Sequence, residues 1–394
     1  MVDGIIYLDH AATTPVHPEV AREMILWQTE YFGNPSSLYA LGQKSRQAME
    51  DARKQVAALI GARPEEVYFT SGGSESDNWA IKGAFFARKD KPRHIITTAI
   101  EHHAVLDTCD ELKKMGGEIT IVPVDSQGVV DPDDVKKAIR PDTILITVMH
   151  ANNEIGTVQP IAEIGKIARE AGVLFHVDAV QTVGHYPVNV DTLNVDMLSL
   201  SAHKFYGPKG VGAMYLRKGV KIANLIHGGG QEKKRRAGTQ NVPGIVGLGK
   251  AAELAITDLD KEMQRETRLR DHLRELVENS IPDVMVNGHR TRRVPNNLNV
   301  TFAGVEGEAM LLRLDREGVC ASTGSACTTG SLEPSHVLMA LGLKHEQAHG
   351  SLRFTFGRSN IVAHVDFVAA TMAKIVKVLR DISPTYVPGK MTVE

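Results

Sequence analysis

The chain has 394 residues, which at roughly 150 residues per domain suggests about two to three domains. Its apolar share of 42% and charged share of 23% are typical of a globular chain that buries a sizeable core. Because 45 basic and 47 acidic residues nearly balance, the charge gives no reason to expect nucleic acid or a membrane surface as a partner.

The cysteine content and the apolar runs narrow the class of protein further. The three cysteines, Cys109, Cys320 and Cys327, do not form a CxxC pair, so we expect neither a disulfide framework nor a metal cage made by this chain alone. The N-terminal residues have no basic leader, and no uncharged apolar run approaches about 18 residues. These features predict a protein of the reducing cytoplasm without a transmembrane helix.

The first two thirds of the chain alternate helical and strand-like patterns. Helices are predicted at 18–32, 41–60, 71–87, 103–115, 131–140 and 161–171. Strands are predicted at 66–70, 94–98, 119–124, 143–149, 173–177, 197–201 and 210–216. Strands that alternate with helices in this way indicate βαβ units and a mainly parallel sheet, which makes this an α/β domain.

A long helix dense in charge, predicted at 244–280, leads into a second unit. This unit combines predicted strands at 297–302, 319–322 and 352–356 with helices at 308–316 and 364–380. The pattern predicts a smaller α+β domain after the large one.

Polar residues cluster where the predicted strands end. The clusters are 71–78, 101–103, 152–156, 178–181 and 203–204. In parallel sheets, ligands bind at the carboxyl ends of the strands. Five polar strand ends therefore predict a binding site at one rim of the large sheet.

Lys204 and Asp178 are the first pair with a specific chemistry. Lys204 follows an apolar strand and precedes a Gly/Pro turn, where a lysine amine can lose its proton and form a Schiff base with a carbonyl cofactor. Asp178 follows the preceding strand, 26 positions earlier, and a buried carboxylate there needs a cation. Pyridoxal phosphate (PLP) carries such a cation at its pyridine nitrogen. Taken alone, a lysine in this position is more often an ordinary loop residue, and an aspartate at a strand end is more often a helix cap.

Two further segments suit the same cofactor. The sequence TSGGSES at 70–76 places glycines between a strand and a helix, where backbone N–H groups and Ser74 could bind a phosphate. His102 follows a strand and could stack on a flat ring. Neither a Walker lysine nor a GxGxxG motif accompanies the glycines, so a nucleotide site is disfavoured.

Cys327 and Arg353 lie in the second unit. Small residues surround Cys327 in STGSACTTGS, which is typical of a mobile loop, whereas Cys109 is predicted on a helix and Cys320 in the core. Arg353 follows strand alternation and could bind a carboxylate with both guanidinium arms, although a surface ion pair is the commoner role of one arginine. The adjacent His102 and His103 lack a third metal ligand, and HGGG at 227–230 lacks the GxSxG motif of an esterase.

Taken together, these motifs resemble the NifS/IscS-type cysteine desulfurases, which are PLP enzymes of the class-V aminotransferase family. The resemblance extends over essentially the whole chain. It rests on YLDHAATTP, GNPSS, FTSGGSESDN, the pair Glu101–His102, NNEIGT, HVDAVQ, SAHKFYGPKG, HGGGQE, the segment 236–239, GSACTTGSLEPSH and SLRFTFGR. It implies an aspartate-aminotransferase-like fold with a large, mainly parallel seven-stranded sheet. We place the large domain at 16–258 and the small domain, with the cysteine loop, at 1–15 and 259–394.

The resemblance implies a role for each matching residue. Cys327, Lys204 and His102 would be catalytic, with Lys204 forming the Schiff base and His102 stacking on the ring. The cofactor would be held by Gly73, Ser74, His102, Asn153, Asp178, Gln181, Ser201, His203, Lys204 and, from the neighbouring subunit of a homodimer, Thr239. The substrate would be bound by Asn34, Asn153 and Arg353. Tyr39 stands where the family usually has histidine.

The implied reaction converts L-cysteine to L-alanine and leaves a persulfide on Cys327 for an iron–sulfur scaffold or another acceptor protein. No intrinsic metal site is expected; at most, Cys327 would join a transient iron–sulfur cluster shared with a scaffold. A selenocysteine lyase or another class-V PLP enzyme is the first alternative, although an aminotransferase has no need of Cys327. The second alternative is a non-catalytic sulfur carrier. Such a protein would need none of Lys204, Asp178 and His102, so their presence argues against it.

Overall fold

The computed structural model describes residues 4–88, 93–323, 333–384 and 386–389. Its strands are β1 (Ile6–Tyr7), β2 (Val67–Thr70), β3 (His94–Thr98), β4 (Glu118–Val122), β5 (Thr143–Met149), β6 (Leu174–Asp178), β7 (Met197–Ser201), β8 (Gly212–Leu216), β9 (Gly230–Gln231), β10 (Arg236–Ala237), β11 (Val284–Asn287), β12 (Asn297–Phe302), β13 (Val319–Cys320) and β14 (Ser351–Thr355). Its α-helices are α1 (Pro18–Thr29), α2 (Ala40–Ile60), α3 (Gly73–Ala87), α4 (His103–Lys114), α5 (Pro132–Ala138), α6 (Ile161–Ala171), α7 (Val242–Ser280), α8 (Gly307–Arg316), α9 (His336–Ala340), α10 (His345–His349) and α11 (Val362–Asp381).

The large sheet has seven strands in the order β2-β8-β7-β6-β5-β3-β4. The pairs from β7 to β4 are parallel, whereas β8 runs antiparallel to both of its neighbours. Helices cover both faces, and the central strands β5 and β7 are buried along their whole length. The predicted α/β class with a mainly parallel seven-stranded sheet is therefore confirmed.

A smaller unit has its own sheet and its own apolar core. Strands β11, β12 and β14 form an antiparallel sheet, and β1 from the N-terminus pairs with β13. Its core contains residues between 269 and 379 together with Leu8. The predicted smaller α+β unit is confirmed, and the N-terminal residues belong to its core.

Helix α7 connects the two cores because its two halves pack into different ones. Its first half contributes residues 242–255 to the core of the large sheet. Its second half contributes Leu269, Leu273 and Val277 to the core of the smaller unit. The domain boundary placed at residue 258 lies between these halves and stays a prediction.

Several predicted element ends were wrong. Helix α1 ends at Thr29 rather than at residue 32, because the chain turns back and Tyr31 packs on Trp27 with ring centroids 5.2 Å apart. Strand β13 has only two residues, and Cys320, expected in the core, is half-buried there. Cys109 lies on α4, as predicted, and is buried. Within the described ranges, no helix is both long and apolar enough to cross a membrane.

Candidate active site

Four predicted site residues follow neighbouring strands of the large sheet. His102, Asn153, Asp178 and Ser201 lie at or shortly beyond the carboxyl ends of β3, β5, β6 and β7. These strands pair in that order and run parallel, so their carboxyl ends meet at one edge of the sheet. The topology thus brings together side chains that are up to 99 positions apart in the sequence.

Lys204 lies at this rim in a short 3₁₀ turn that continues β7. Its Nζ donates hydrogen bonds to the carbonyl oxygens of Ala11 (2.6 Å) and Ala12 (2.8 Å). The carbonyl oxygen of Lys204 accepts a hydrogen bond from His185 Nε2 at 2.7 Å, which fixes the backbone of the turn. The amine is therefore held between the large sheet and the N-terminal segment.

Asp178 is the buried carboxylate of the site. Only 6% of the residue is exposed, and its Oδ1 accepts a hydrogen bond from the Val180 N–H at 2.9 Å. Burial raises the pKa of Asp178, while the nearby His102 and Lys204 oppose that shift. A cation placed against this carboxylate would offset the cost of burying its charge, and a protonated pyridine nitrogen is such a cation.

His102 presents a neutral ring to the site. It caps the N-terminus of α4, where its Nδ1 accepts a hydrogen bond from the Ala104 N–H at 3.1 Å. A neutral ring that accepts at Nδ1 carries its proton on Nε2. Burial lowers the pKa of His102, Asp178 opposes the shift and Lys204 adds to it. The imidazole is therefore uncharged near neutral pH, which suits stacking on a flat ring.

A cavity of 390 Å³ lies beside Lys204 at the start of α3. Its lining residues are Thr13, Ser71, Gly72, Gly73, Ser74, Glu75, Ser201, His203, Lys209 and Gly210. His203 Nδ1 is 3.1 Å from Thr13 Oγ1, and burial together with Lys204 and Lys209 lowers the pKa of His203 to about 4. We call residues 71–75 with Ser201 and His203 the phosphate cup.

The backbone of the cup leaves no room for larger side chains. Gly72 has a φ of 154°, a conformation that favours glycine. A Cβ on Gly73 would come within 2.7 Å of Val180 Cγ2, and one on Gly212 would come within 2.8 Å of Gly72 Cα. The site offers a partner for each chemical group of PLP. Hydroxyls and N–H groups at the start of a helix suit the phosphate, a lysine suits the carbonyl, and a buried carboxylate suits the pyridine nitrogen. The residues present therefore fit this cofactor.

Arg353 reaches the rim from β14 of the small sheet. It is 2% exposed, and its Nη1 donates to the carbonyl oxygen of Asn153 at 2.9 Å. Its Nη2 donates to Asp9 Oδ1 at 2.8 Å. Asp9 thus orients the guanidinium, and a substrate carboxylate would meet an arginine that is already held in place.

The remaining predicted residues, Gln181, Asn34 and Thr239, are connected to Lys204 less directly or not at all by the hydrogen bonds described here. Gln181 Nε2 donates to the carbonyl oxygen of Ala11, which Lys204 also contacts. Asn34 is exposed, and its Oδ1 accepts from the Ser36 N–H at 2.9 Å. Thr239 is exposed on the loop after β10. An exposed Thr239 is the arrangement that a contact with a neighbouring subunit requires.

Cys327 lies outside the described residues, but both flanks of its segment contact the site. Ser322 and Arg353 exchange two backbone hydrogen bonds, of 3.2 and 2.6 Å. On the other side, His336 Nε2 donates to the carbonyl oxygen of Glu101 at 2.9 Å, next to His102. Ser335 Oγ donates to Glu154 Oε2 at 2.5 Å.

Two buried acids near Asp178 lie in polar clusters that the sequence analysis identified, but it gave neither of them a role. Asp77 and Glu101 are almost completely buried. Burial and the charge of Asp178 raise the pKa of Asp77 well above its usual range, and burial raises that of Glu101 to about 8. These shifts lessen the negative charge that the two acids add beside Asp178. The signal for Asp77 was its helical spacing from the apolar Ala80, Ile81 and Ala84.

Comparisons with known proteins find relatives in both sequence and fold. The family model described as Aminotransferase class-V matches residues 6–368. A curated relative from Dictyoglomus turgidum, named cysteine desulfurase IscS, is 58% identical over 379 residues that cover 96% of each chain. A solved NifS-like protein is 39% identical, covers 96% of this chain and 100% of its own, and has a TM-score of 0.89. A structure described as SspA in complex with cysteine is 40% identical, covers 90% and 99%, and has a TM-score of 0.81.

The position of Lys204 predicts that this lysine carries the cofactor. Lys204→Ala should abolish turnover and the covalent attachment of PLP, because alanine has no amine to react with the cofactor carbonyl. Borohydride reduction followed by peptide mass spectrometry measures the attachment site, with the exposed Lys221→Ala as the control. A borohydride-trapped adduct on another lysine in the Lys204→Ala protein would show that the assignment is wrong.

Proposed function

This chain belongs to the class-V aminotransferase family as a PLP-dependent cysteine desulfurase, and we propose that Lys204, Asp178, His102 and Cys327 carry out its reaction. The observation that supports these roles is the meeting of an amine, a buried carboxylate and a neutral imidazole at one rim, beside a cup suited to phosphate. Each of these groups matches a different part of PLP.

The residues around the ring would divide the chemistry between them. When bound, PLP supplies an electron sink for the charge that forms at the substrate Cα. Asp178 would keep the pyridine nitrogen protonated, because its buried carboxylate is stabilised by a cation. Lys204 would hold the cofactor through Nζ and, once displaced by the substrate amine, remove the Cα proton. His102 would pack on the ring and hold a proton at Nε2.

The substrate would be oriented through its carboxylate. Arg353 is buried and fixed by Asp9, so it can bind a carboxylate without first ordering its own side chain. Asn153, whose carbonyl oxygen accepts from Arg353, and Asn34 are proposed as further contacts.

Cys327 would take the sulfur from the substrate. Its thiolate attacks the substrate Sγ, an S–S bond forms and the Cβ–Sγ bond breaks. The carbon skeleton gains protons and leaves as L-alanine, while Cys327 keeps a persulfide. The described residues on either side support this role, because Ser322 contacts Arg353 and His336 contacts Glu101.

A homodimer is the assembly we propose. Three large apolar side chains are exposed on the segment that includes Asn34: Phe32 (71%), Leu38 (83%) and Tyr39 (60%). Ser36 in this segment shares a hydrogen bond with Gln231, which ties it to the hairpin before Thr239. A second copy covering this surface would bury the apolar groups and bring Thr239 to the partner's phosphate.

The persulfide implies an acceptor. We propose that this is a protein that assembles iron–sulfur clusters or another thio-cofactor, because the relative from Dictyoglomus turgidum carries the name IscS. The cytoplasm is the proposed compartment, since a reactive thiol and its persulfide need reducing surroundings. Across the described ranges, no group of three His, Cys, Asp or Glu side chains is arranged to hold a metal ion.

The proposed role of Cys327 is tested by its serine variant. Cys327→Ser should still bind PLP and cysteine, but alanine production should fall by on the order of 10³-fold or more, because a hydroxyl is a poor nucleophile toward sulfur. Mass spectrometry of the wild type after brief exposure to cysteine should find one sulfur atom, about 32 Da, on Cys327.

Cys109→Ser and Cys320→Ala are the matched controls, and both should keep most of the activity. Burial raises the pKa of Cys109 to about 12 and also raises that of Cys320, so neither forms a thiolate readily near neutral pH. Full activity of Cys327→Ser, or sulfur found on Cys109, would contradict the proposed mechanism.

Arg353→Lys tests the carboxylate site. Lysine keeps the charge but cannot bind a carboxylate with two parallel N–H groups, so the KM for cysteine should rise roughly 10- to 100-fold. The absorption spectrum of the bound cofactor should stay the same, since Arg353 does not line the phosphate cup. A KM equal to that of the wild type would place the carboxylate site elsewhere.

Leu38→Lys tests the proposed dimer. A charge in a buried apolar interface is costly, so the variant should shift toward monomer in light scattering and bind PLP more weakly. Ile382→Lys is the control, because Ile382 is also exposed (71%) but follows α11 at the other end of the chain. A monomeric wild type with full activity would rule out the shared site.

A further inference from the structure

The hairpin formed by β9 and β10 contains a strained turn. Three successive residues in it, Glu232, Lys233 and Lys234, have φ values of 45°, 56° and 67°. L-residues other than glycine rarely adopt positive φ, and such conformations persist only where the surrounding structure enforces them. A run of three therefore requires a strong anchor.

The anchor is the buried side chain of Glu232. Its carboxylate accepts hydrogen bonds from Arg53 Nη1 (2.8 Å) and Nη2 (3.1 Å) and from the Phe69 N–H (3.0 Å). Both Glu232 and Arg53 are almost completely buried. Phe69 belongs to β2, the edge strand that leads directly into the phosphate cup. The strained turn is thus fixed to the strand on which the cup is built.

The turn places Arg236 against Glu75. The guanidinium donates from Nε to Oε1 (2.9 Å) and from Nη2 to Oε2 (3.1 Å). Glu75 Oε2 also accepts from the Ser71 N–H at 2.8 Å, so this carboxylate shapes the backbone of the cup. Glu75 lines the same cavity as Gly73, Ser74 and Ser201.

The charge of Glu75 is a difficulty for phosphate binding. Burial opposes its ionisation, but hydrogen bonds from Arg236 and Ser71 outweigh burial and lower its pKa, so the carboxylate is ionised at neutral pH. A phosphate bound in this cavity would share it with the negative charge of Glu75, and like charges repel each other. A cup that contains Glu75 needs a compensating cation to accept a phosphate dianion.

We propose that Arg236 is a positioning residue that neutralises Glu75, so that the cup keeps its shape and still accepts the PLP phosphate. This inference rests on the proposed function in one respect, namely that residues 71–74 hold the phosphate. Arg236 acts through Glu75 and not as a phosphate ligand. The strained turn at 232–234 sets the distance from the anchor at Glu232 to this ion pair.

The test is titration of the cofactor-free, full-length protein with PLP, measured by absorbance. Arg236→Ala should weaken PLP binding about tenfold or more, because Glu75 loses the cation that is paired with it. Glu75→Gln alone should bind PLP as tightly as the wild type or more tightly, since glutamine can still accept from Ser71. The double variant should recover most of the affinity lost in Arg236→Ala.

The control is Arg235→Ala. Arg235 is the neighbouring residue, and its Nη1 donates to the carbonyl oxygen of Ile222 rather than to the cup. Its replacement should leave PLP affinity unchanged. Thermal unfolding of the cofactor-free variants shows whether they remain folded, and if Arg236→Ala does not fold, Glu75→Gln still tests the inference.

Pyridoxal, which lacks the phosphate, separates charge from general structure. Arg236→Ala should bind pyridoxal as the wild type does, and inorganic phosphate should compete with PLP less well in this variant. An equal loss for PLP and pyridoxal, no recovery in the double variant, or weaker PLP binding by Glu75→Gln would overturn the inference. Wild-type protein that binds PLP and pyridoxal equally well would instead refute the proposed phosphate cup.

Discussion

The site depends on placing the Asp178 carboxylate in the interior at the end of a buried strand. A buried charge is tolerated only where a cation or hydrogen bonds stabilise it. The Asp178 carboxylate has one backbone hydrogen bond and has His102 and Lys204 close by, and burial raises the pKa of the two neighbouring acids, Asp77 and Glu101. Asp178 would hold the pyridine nitrogen of PLP, whose positive charge would stabilise the buried carboxylate.

The large sheet provides this arrangement because four parallel strands end at one rim. Each strand end contributes a different group, and the rigid strands fix the distances between them. The N-terminal segment completes the site from outside the sheet, since the carbonyl oxygens of Ala11 and Ala12 hold Lys204 and Asp9 orients Arg353. Residues 8–12 therefore link the core of the small unit to the rim where the candidate site lies.

Much of this was predictable from the sequence, because buried parallel strands are short apolar runs and their polar ends mark the rim. The strands β3, β5 and β7 have the bounds that their sequences predicted. The two-residue strands β1, β9 and β10 were missed, since so short a strand has no periodic pattern and forms through tertiary pairing. The antiparallel position of β8 between β2 and β7 also follows from packing that no local pattern encodes.

The same limit applies to the site. Lys204, Asp178, His102 and the glycines of the cup were predicted because each follows a strand. Asp77, Glu154 and Arg236 were not, because their positions depend on contacts with distant residues such as His176, Ser335 and Glu75. The folded structure, and not the local sequence, determines which residue a buried charged side chain contacts.

The most direct test of the account is a single-turnover reaction of the PLP-loaded protein with a stoichiometric amount of L-cysteine and no added reductant. Products and protein-bound sulfur are then measured in the same sample. The account predicts about one L-alanine per reacted site, with an equal amount of sulfur retained on the protein. Pyruvate and ammonia with free sulfide, and no sulfur on the protein, would indicate elimination without sulfur transfer and would contradict it.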